Sequence, residues 1–225
     1  MGNLESTHKD YYDWFHQLIF GKHSTKLKVI MWGLPSSGKT SILKALTSIK
    51  HPETITFKYQ DDLAPTKKFN MQDFYHTTDH TYRIIMYDVG GASGSNLISI
   101  FYFIAFILVE SFLGSDLVKK FCGDLNAVVY VVDSSIKNKI MYPVVHAQLT
   151  NLCKLVPPSM PIVLVLSKND VAHLAPTGDI LEGIQFEDIK KHFPSKVFQV
   201  ISTSSVDQVG LVDMLSWLAD NANLS

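Results

Sequence analysis

The sequence predicts an α/β domain: a mostly parallel sheet of six strands with helices on both faces, preceded by an amphipathic N-terminal helix. Three observations carry this. Short, nearly unbroken apolar runs alternate with helical segments, the pattern of strands buried on both faces. Several of those runs end in charged or glycine-bearing segments, as at Asp88-Val89-Gly90-Gly91 and Ser167-Lys168-Asn169-Asp170. The 225 residues, 46% hydrophobic and 18% charged, suit one domain with a sizeable core. The expected division is an N-terminal extension over 1–24 and a folded domain over 25–225. A net charge of -1 without a basic tract gives no basis for nucleic-acid binding. Cys122 and Cys153 make no disulfide framework, and Glu5, Lys9, Asp10 and Asp13 stand where a signal peptide would be apolar. A reducing, cytoplasmic compartment is expected.

In chain order, Met1-Gly2-Asn3-Leu4-Glu5-Ser6 fits the M-G-x-x-x-[ST] myristoylation pattern, with Gly2 as acceptor. Tyr11, Trp14, Phe15 and Leu18 then recur at helical spacing, either packed on the domain or lying at a membrane surface beside the lipid. Leu27–Trp32 reads as the first strand and Ser41–Leu46 as a helix. Between them lies Gly33-Leu34-Pro35-Ser36-Ser37-Gly38-Lys39-Thr40, which fits G-x-x-x-x-G-K-[ST] in its proper strand–loop–helix setting. Backbone N–H groups and the positive end of the helix, including Ser41, face phosphates there. Lys39 is placed for the β- and γ-phosphates, and the Thr40 hydroxyl for Mg²⁺. The fold class is therefore that of the P-loop NTPases.

His51 to Asp62 reads as polar and irregular, ending near Ala64-Pro65-Thr66. Phe69–Tyr75 and Tyr82–Tyr87 read as a hairpin. Thr66 can offer a hydroxyl to Mg²⁺, Asp88 can hold that ion from a strand end, and Gly91 can present a bare N–H to a γ-phosphate. Further strands are expected at Ala127–Val132, Pro161–Leu166 and Val197–Ile201. Helices are expected from near Pro143 to Leu155, over Asp179–Phe193 and over Leu211–Ala219.

With these residues in order, the chain resembles the Arf and Arf-like small GTPases. The resemblance rests on the G-L-x-x-x-G-K-T loop, P-T-x-x-F-N at switch I, D-V-G-G at switch II, Ser167-Lys168-Asn169-Asp170 as a variant N-K-x-D, and Gly2 before an amphipathic helix. It implies GTP/GDP and Mg²⁺ as ligands. Asp170 would accept from the guanine N1–H and N2–H₂ edge, Lys168 would lie over the base, and Ser202 and Thr203 would support its other side. Adenine lacks that donor pair and would leave the carboxylate unpaired. Phe69, Tyr87 and Phe121 would form the aromatic patch that effectors read, or else ordinary strand and core packing. Exchange factors, activators and effector proteins are implied as partners. So is reversible association with the Golgi or another endomembrane, and hence vesicle trafficking.

The chain departs from this pattern in three places. Ala92 stands where the family has the glutamine that orients the attacking water, so slow GTP hydrolysis is expected and no catalytic residue is assigned. Ser167 replaces the asparagine that ties the base loop to the phosphate loop, so weaker nucleotide binding is expected. Residues 96–115 are an apolar insertion in switch II, and Leu97–Val109 is shorter than the roughly twenty residues a membrane span needs. The preferred reading of the insertion is an unspliced intron, because joining Ser95 to Asp116 restores the family's switch II length. Membrane or partner contact and self-packing are the alternatives. The leading function is a guanine-nucleotide-dependent switch. A nucleotide-insensitive or GTP-locked scaffold is the alternative, and an ATP-using kinase is a third reading that no second substrate domain supports.

Overall fold

The computed structural model describes residues 25–48, 54–57, 69–77, 81–89 and 125–222. In chain order these form β1 (Thr25–Gly33), α1 (Lys39–Ser48), β2 (Thr54–Phe57), β3 (Phe69–Thr77), β4 (Thr81–Val89) and β5 (Ala127–Asp133). A 3₁₀ turn (Ile136–Met141) then leads into α2 (Tyr142–Leu155), β6 (Ile162–Ser167), α3 (Thr177–Gly183), α4 (Phe186–His192), β7 (Phe198–Ser202) and α5 (Leu211–Asn221). Pro143 sits in the first turn of α2, where a missing N–H costs nothing.

One sheet of seven strands runs β2-β3-β4-β1-β5-β6-β7. The expectation of six strands is corrected by β2, which lies inside the stretch read as irregular. Thr54-Ile55-Thr56-Phe57 carries β-branched and aromatic residues, and it pairs antiparallel with β3 from Thr54↔His76 to Phe57↔Asp73. Four residues are too few for a periodic signal to stand out against polar neighbours. β3 and β4 pair antiparallel, while β4, β1, β5, β6 and β7 run parallel.

The expected helix over Asp179–Phe193 is also corrected: it is two short helices broken at Ile184–Gln185, with Gln185 in the left-handed region (φ 52°). Ile180 and Ile184 are buried at helical spacing, but the next buried pair is Phe186 and Ile189. A continuous helix would turn Glu187 and Asp188 inward instead. The left-handed residue resets the phase so that the second apolar pair meets the core.

Alternation along the central strands feeds two hydrophobic layers. On one face Leu27, Val29 and Met31 of β1 pack with Ile42 and Leu46 of α1 and Met214, Leu215 and Leu218 of α5. On the other, Ile30, Val128, Tyr130 and Val132 pack with Val145, Leu149 and Leu152 of α2 and with Ile180, Ile184, Phe186 and Ile189. Each such side chain taken fully out of water stabilises by about 1.5–3 kcal/mol. The buried Tyr130 hydroxyl donates to Gln148 Oε1 (2.9 Å), and burial raises its pKa. Lys196 Nζ donates to the carbonyls of Val156 (3.2 Å) and Pro157 (2.7 Å), capping the carboxyl end of α2. Burial lowers the Lys196 pKa and pushes the neighbouring Cys153 thiol up to about 12.

In this strand order β1 lies between β4 and β5, so the chain crosses from one half of the sheet to the other beside β1. A crevice opens outside the carboxyl ends of the strands at such a reversal, the usual ligand position in an open α/β sheet. Among the described residues no helix is long and apolar enough to cross a membrane.

Candidate functional site

The loop leaving β1 occupies that crevice. Gly33 (φ 143°), Ser36 (φ 60°) and Gly38 (φ 99°) all have positive φ, so the loop doubles back before α1 begins at Lys39. A Cβ on Gly33 would stand 2.2 Å from the Val131 carbonyl oxygen, a clash no side chain survives. The Ser37 N–H donates to the Leu34 carbonyl (3.2 Å), and the Ile42 N–H to the Gly38 carbonyl (2.9 Å), closing the first helical turn. Lys39, only 5% exposed, folds its ammonium back onto the carbonyls of Gly33 (2.9 Å) and Leu34 (2.8 Å). A buried cation is thereby fixed at the floor of the loop. Thr40 and Ser41 are exposed on the same first turn, Leu34 and Pro35 are half-buried, and the buried Ser37 hydroxyl has no hydrogen-bond partner.

The loop after β6 meets this one directly. Ser167, 1% exposed, donates its hydroxyl to the Ser37 carbonyl, with the Val132 carbonyl 3.1 Å away as a second acceptor. The serine at this position thus joins the base loop to the phosphate loop. A Cβ on Gly38 would lie 3.2 Å from Ser167 Oγ, so glycine at 38 leaves the serine hydroxyl its space.

Lys168 follows in the left-handed region (φ 61°) and pairs with Asp133 at the end of β5, Nζ to Oδ2 2.6 Å. Asp133 Oδ1 also accepts the Ser135 N–H (2.9 Å). Burial pushes the Asp133 carboxyl up. The Lys168 hydrogen bond, the Ser135 backbone and side-chain bonds and the Lys168 charge outweigh it, leaving the group below the ordinary carboxylate range. Asp170 is exposed, and one oxygen accepts the Ser204 hydroxyl (2.9 Å). Ser204 also accepts the Asp207 N–H (2.9 Å), which fixes the turn after β7.

Of the residues proposed from sequence, 33–41, Lys168 and Asp170 thus converge on one end of the sheet. Ser202 closes β7 opposite Leu166. Thr203 is fully buried, donating its N–H to the Leu166 carbonyl (2.7 Å) and accepting from the Asn169 N–H (3.0 Å), with its hydroxyl unpartnered. Asp88 lies near the end of β4, in register with Met31 of β1 and Asn70 of β3, and so on the edge that carries the loop. Phe69 and Tyr87 fall on β3 and β4. Gly2, Thr66, Gly91, Ala92, Phe121 and the insertion 96–115 lie outside the described residues. Two participants were not assigned from sequence, Asp133 and Ser204. The spacing Ser204-x-x-Asp207 is a local turn signal that could have found the second; Asp133 shows only as an acid at a strand end.

A phosphate-binding loop at the reversal of a mostly parallel sheet, tied to a second loop that ends in a presented carboxylate, defines a P-loop nucleotide-binding protein. The model of the ADP-ribosylation factor (Arf) family matches residues 13–102 and 116–222, leaving out 103–115 within the apolar insertion. The chain belongs to the Arf family of small GTPases. Among solved structures it is similar to the Arl6 (BBS3) small GTPase of Trypanosoma brucei with a bound nucleotide analogue, GppNp. That likeness has a TM-score of 0.58 and 21% identity and covers 87% of this chain and 96% of the other, which establishes the shared fold.

Proposed function

We propose that the protein is a guanine-nucleotide-dependent switch of the Arf-like kind, working with Mg²⁺ in effector recruitment or membrane trafficking. The observation that carries this is the Lys39 ammonium, buried at the floor of a loop shaped by three positive-φ residues and tied through Ser167 to the loop bearing Asp170. This donor set suits a phosphate chain: a fixed cation, the first turn of a helix and glycines that leave room for close approach. Asp170, its carboxylate oriented by Ser204, would read the guanine edge. Thr40, Asp88 and Thr66 would hold Mg²⁺, which when bound offsets the charge of the β- and γ-phosphates. Gly91 and Thr66 would respond to the γ-phosphate and move the segments that partners touch. Exchange factors, activators and effectors are the partners such a switch requires.

Lipidation at Gly2 with the apolar N-terminal segment would give reversible endomembrane association from the cytoplasm, since a single myristoyl chain binds only marginally. Ala92 has no group to orient water, so hydrolysis is slow and exchange dominates resetting. The insertion 96–115 is read as translated intron, and a mature message retaining its sixty nucleotides would refute that.

The deciding experiment loads purified protein with GDP, GTP and ATP with and without Mg²⁺. Tight, Mg²⁺-dependent guanine-nucleotide exchange that changes partner binding is expected, as is faster single-turnover hydrolysis in Ala92→Gln. Partner binding indifferent to nucleotide would establish the scaffold alternative instead.

A further inference from the structure

The ion pair between Asp133 and Lys168 is an odd element of the site as judged by stability alone. Lys168 is 36% exposed, and a pair open to water at one end contributes little to folding. Its surroundings nevertheless hold it firmly. Asp133 is 12% exposed, and its two oxygens are divided between the Ser135 N–H (2.9 Å) and the Lys168 ammonium (2.6 Å). The turn that carries Asp133 is itself pinned: the Ala175 N–H donates to the Ser134 carbonyl (3.0 Å), the Ser134 N–H donates to the Ser167 carbonyl (3.1 Å), and Ser135 bridges Leu174. Lys168 starts from a left-handed backbone position immediately after the anchored Ser167, and its Cε lies 3.9 Å from where a Cβ on Gly38 would stand. The lysine stem therefore runs across the phosphate loop from an anchored backbone at one end to an anchored charge at the other. A free lysine would extend its ammonium into water and carry the stem with it.

We propose that Asp133 is a positioning residue of the base site: by holding the Lys168 ammonium it keeps the lysine's methylene stem laid across Gly38 as the wall against which a guanine ring packs. The carboxylate also neutralises the ammonium, so the wall presents an apolar face rather than a charge. The proposal rests on the guanine-nucleotide reading above. It adds that base retention depends on a residue which touches neither base nor phosphate, contributed by β5 rather than by the base loops.

The test uses the full chain and fluorescent N-methylanthraniloyl GDP and GTP, with dissociation followed by chase with unlabelled nucleotide. Asp133→Ala should speed release of both nucleotides by the same factor, about tenfold, because the displaced stem faces the base and not the phosphates. Competition by inorganic pyrophosphate, which probes the phosphate loop alone, should not change. Asp133→Glu, keeping the charge one methylene further out, should recover most of the wild-type retention. Because Asp133 acts through Lys168, its replacement should add nothing in a Lys168→Ala background. Release rates within twofold of wild type for Asp133→Ala would overturn the proposal. So would equal weakening of GDP and pyrophosphate, or additive effects of the two alanine substitutions. Failure of the wild-type chain to bind any guanine nucleotide would overturn the underlying reading and this one with it. Binding by wild type with an unaffected Asp133→Ala overturns this one alone.

Discussion

Replacing Ser167 tests whether the two loops of the site are held together by a single hydroxyl. Ser167→Ala removes a buried donor and leaves the Ser37 carbonyl without it in a slot where the residue is 1% exposed. A net hydrogen bond is worth about 1 kcal/mol, and an acceptor stranded away from water costs about 1–3 kcal/mol. A combined effect of about 2 kcal/mol, felt in the nucleotide-bound arrangement, corresponds to roughly thirtyfold in affinity. Ser167→Asn is the sharper variant, because it restores the family's residue. Ser167 is 1% exposed and its hydroxyl already lies against the Ser37 and Val132 carbonyls, so a longer side chain must push its surroundings aside. Overpacking a filled site costs about 1–3 kcal/mol, so asparagine should weaken binding here rather than improve it. Equilibrium titration with fluorescent GDP gives the affinities, and urea unfolding of nucleotide-free protein separates binding from folding. Affinity within about threefold of wild type for the alanine variant, or about tenfold tighter binding by the asparagine variant, would refute the argument.

Other consequences can be checked independently. Asp133 titrates below its unfolded value, so its stabilisation is complete above about pH 4 and is lost as pH falls through the folded pKa. Urea midpoints between pH 6 and pH 3 should therefore fall less steeply in Asp133→Asn than in wild type; parallel curves would contradict this. Cys153, with its pKa pushed up to about 12, is about one part in ten thousand thiolate at pH 8. Peptide-resolved labelling should show it unreactive until the protein unfolds, and labelling at the rate of a free thiol under native conditions would contradict its burial. Gln185→Gly should stabilise by about 0.5–1 kcal/mol, because glycine takes the left-handed position at φ 52° without strain. A drop in thermal midpoint would mean that the Gln185 side chain makes an interaction that outweighs its backbone strain.

Much of this was legible in the sequence because periodicity and a loop motif carry it. The apolar runs of β1, β5 and β6 stand out because both their faces are buried, and the phosphate loop declares itself through glycines and a lysine at fixed spacing. The misses share a cause as well. β2 is short and polar-flanked, and its strand character comes from pairing with β3. The break at Gln185 is a shift in helical phase that a window spanning Asp179–Phe193 averages away. The bond from Ser167 to the phosphate loop depends on a backbone separation, and the Asp133–Lys168 pair joins residues far apart in the chain. Residue type and spacing do not encode such distances.

The place of β1 within the sheet has a consequence for how this chain tolerates change. Residues that would sense which nucleotide is bound hang from β5, β6 and β7 on one flank, while those that would sense how many phosphates it carries hang from β3 and β4 on the other. The two tasks meet only at the loop between them. Of the chain's departures, Ala92 and the insertion fall between β4 and β5 in the sequence. On the base side the one departure, Ser167, joins the two loops through its hydroxyl. On the proposed reading, such an architecture would let timing drift under mutation while ligand identity holds, and a divergent copy would become a slow clock that still recognises its ligand.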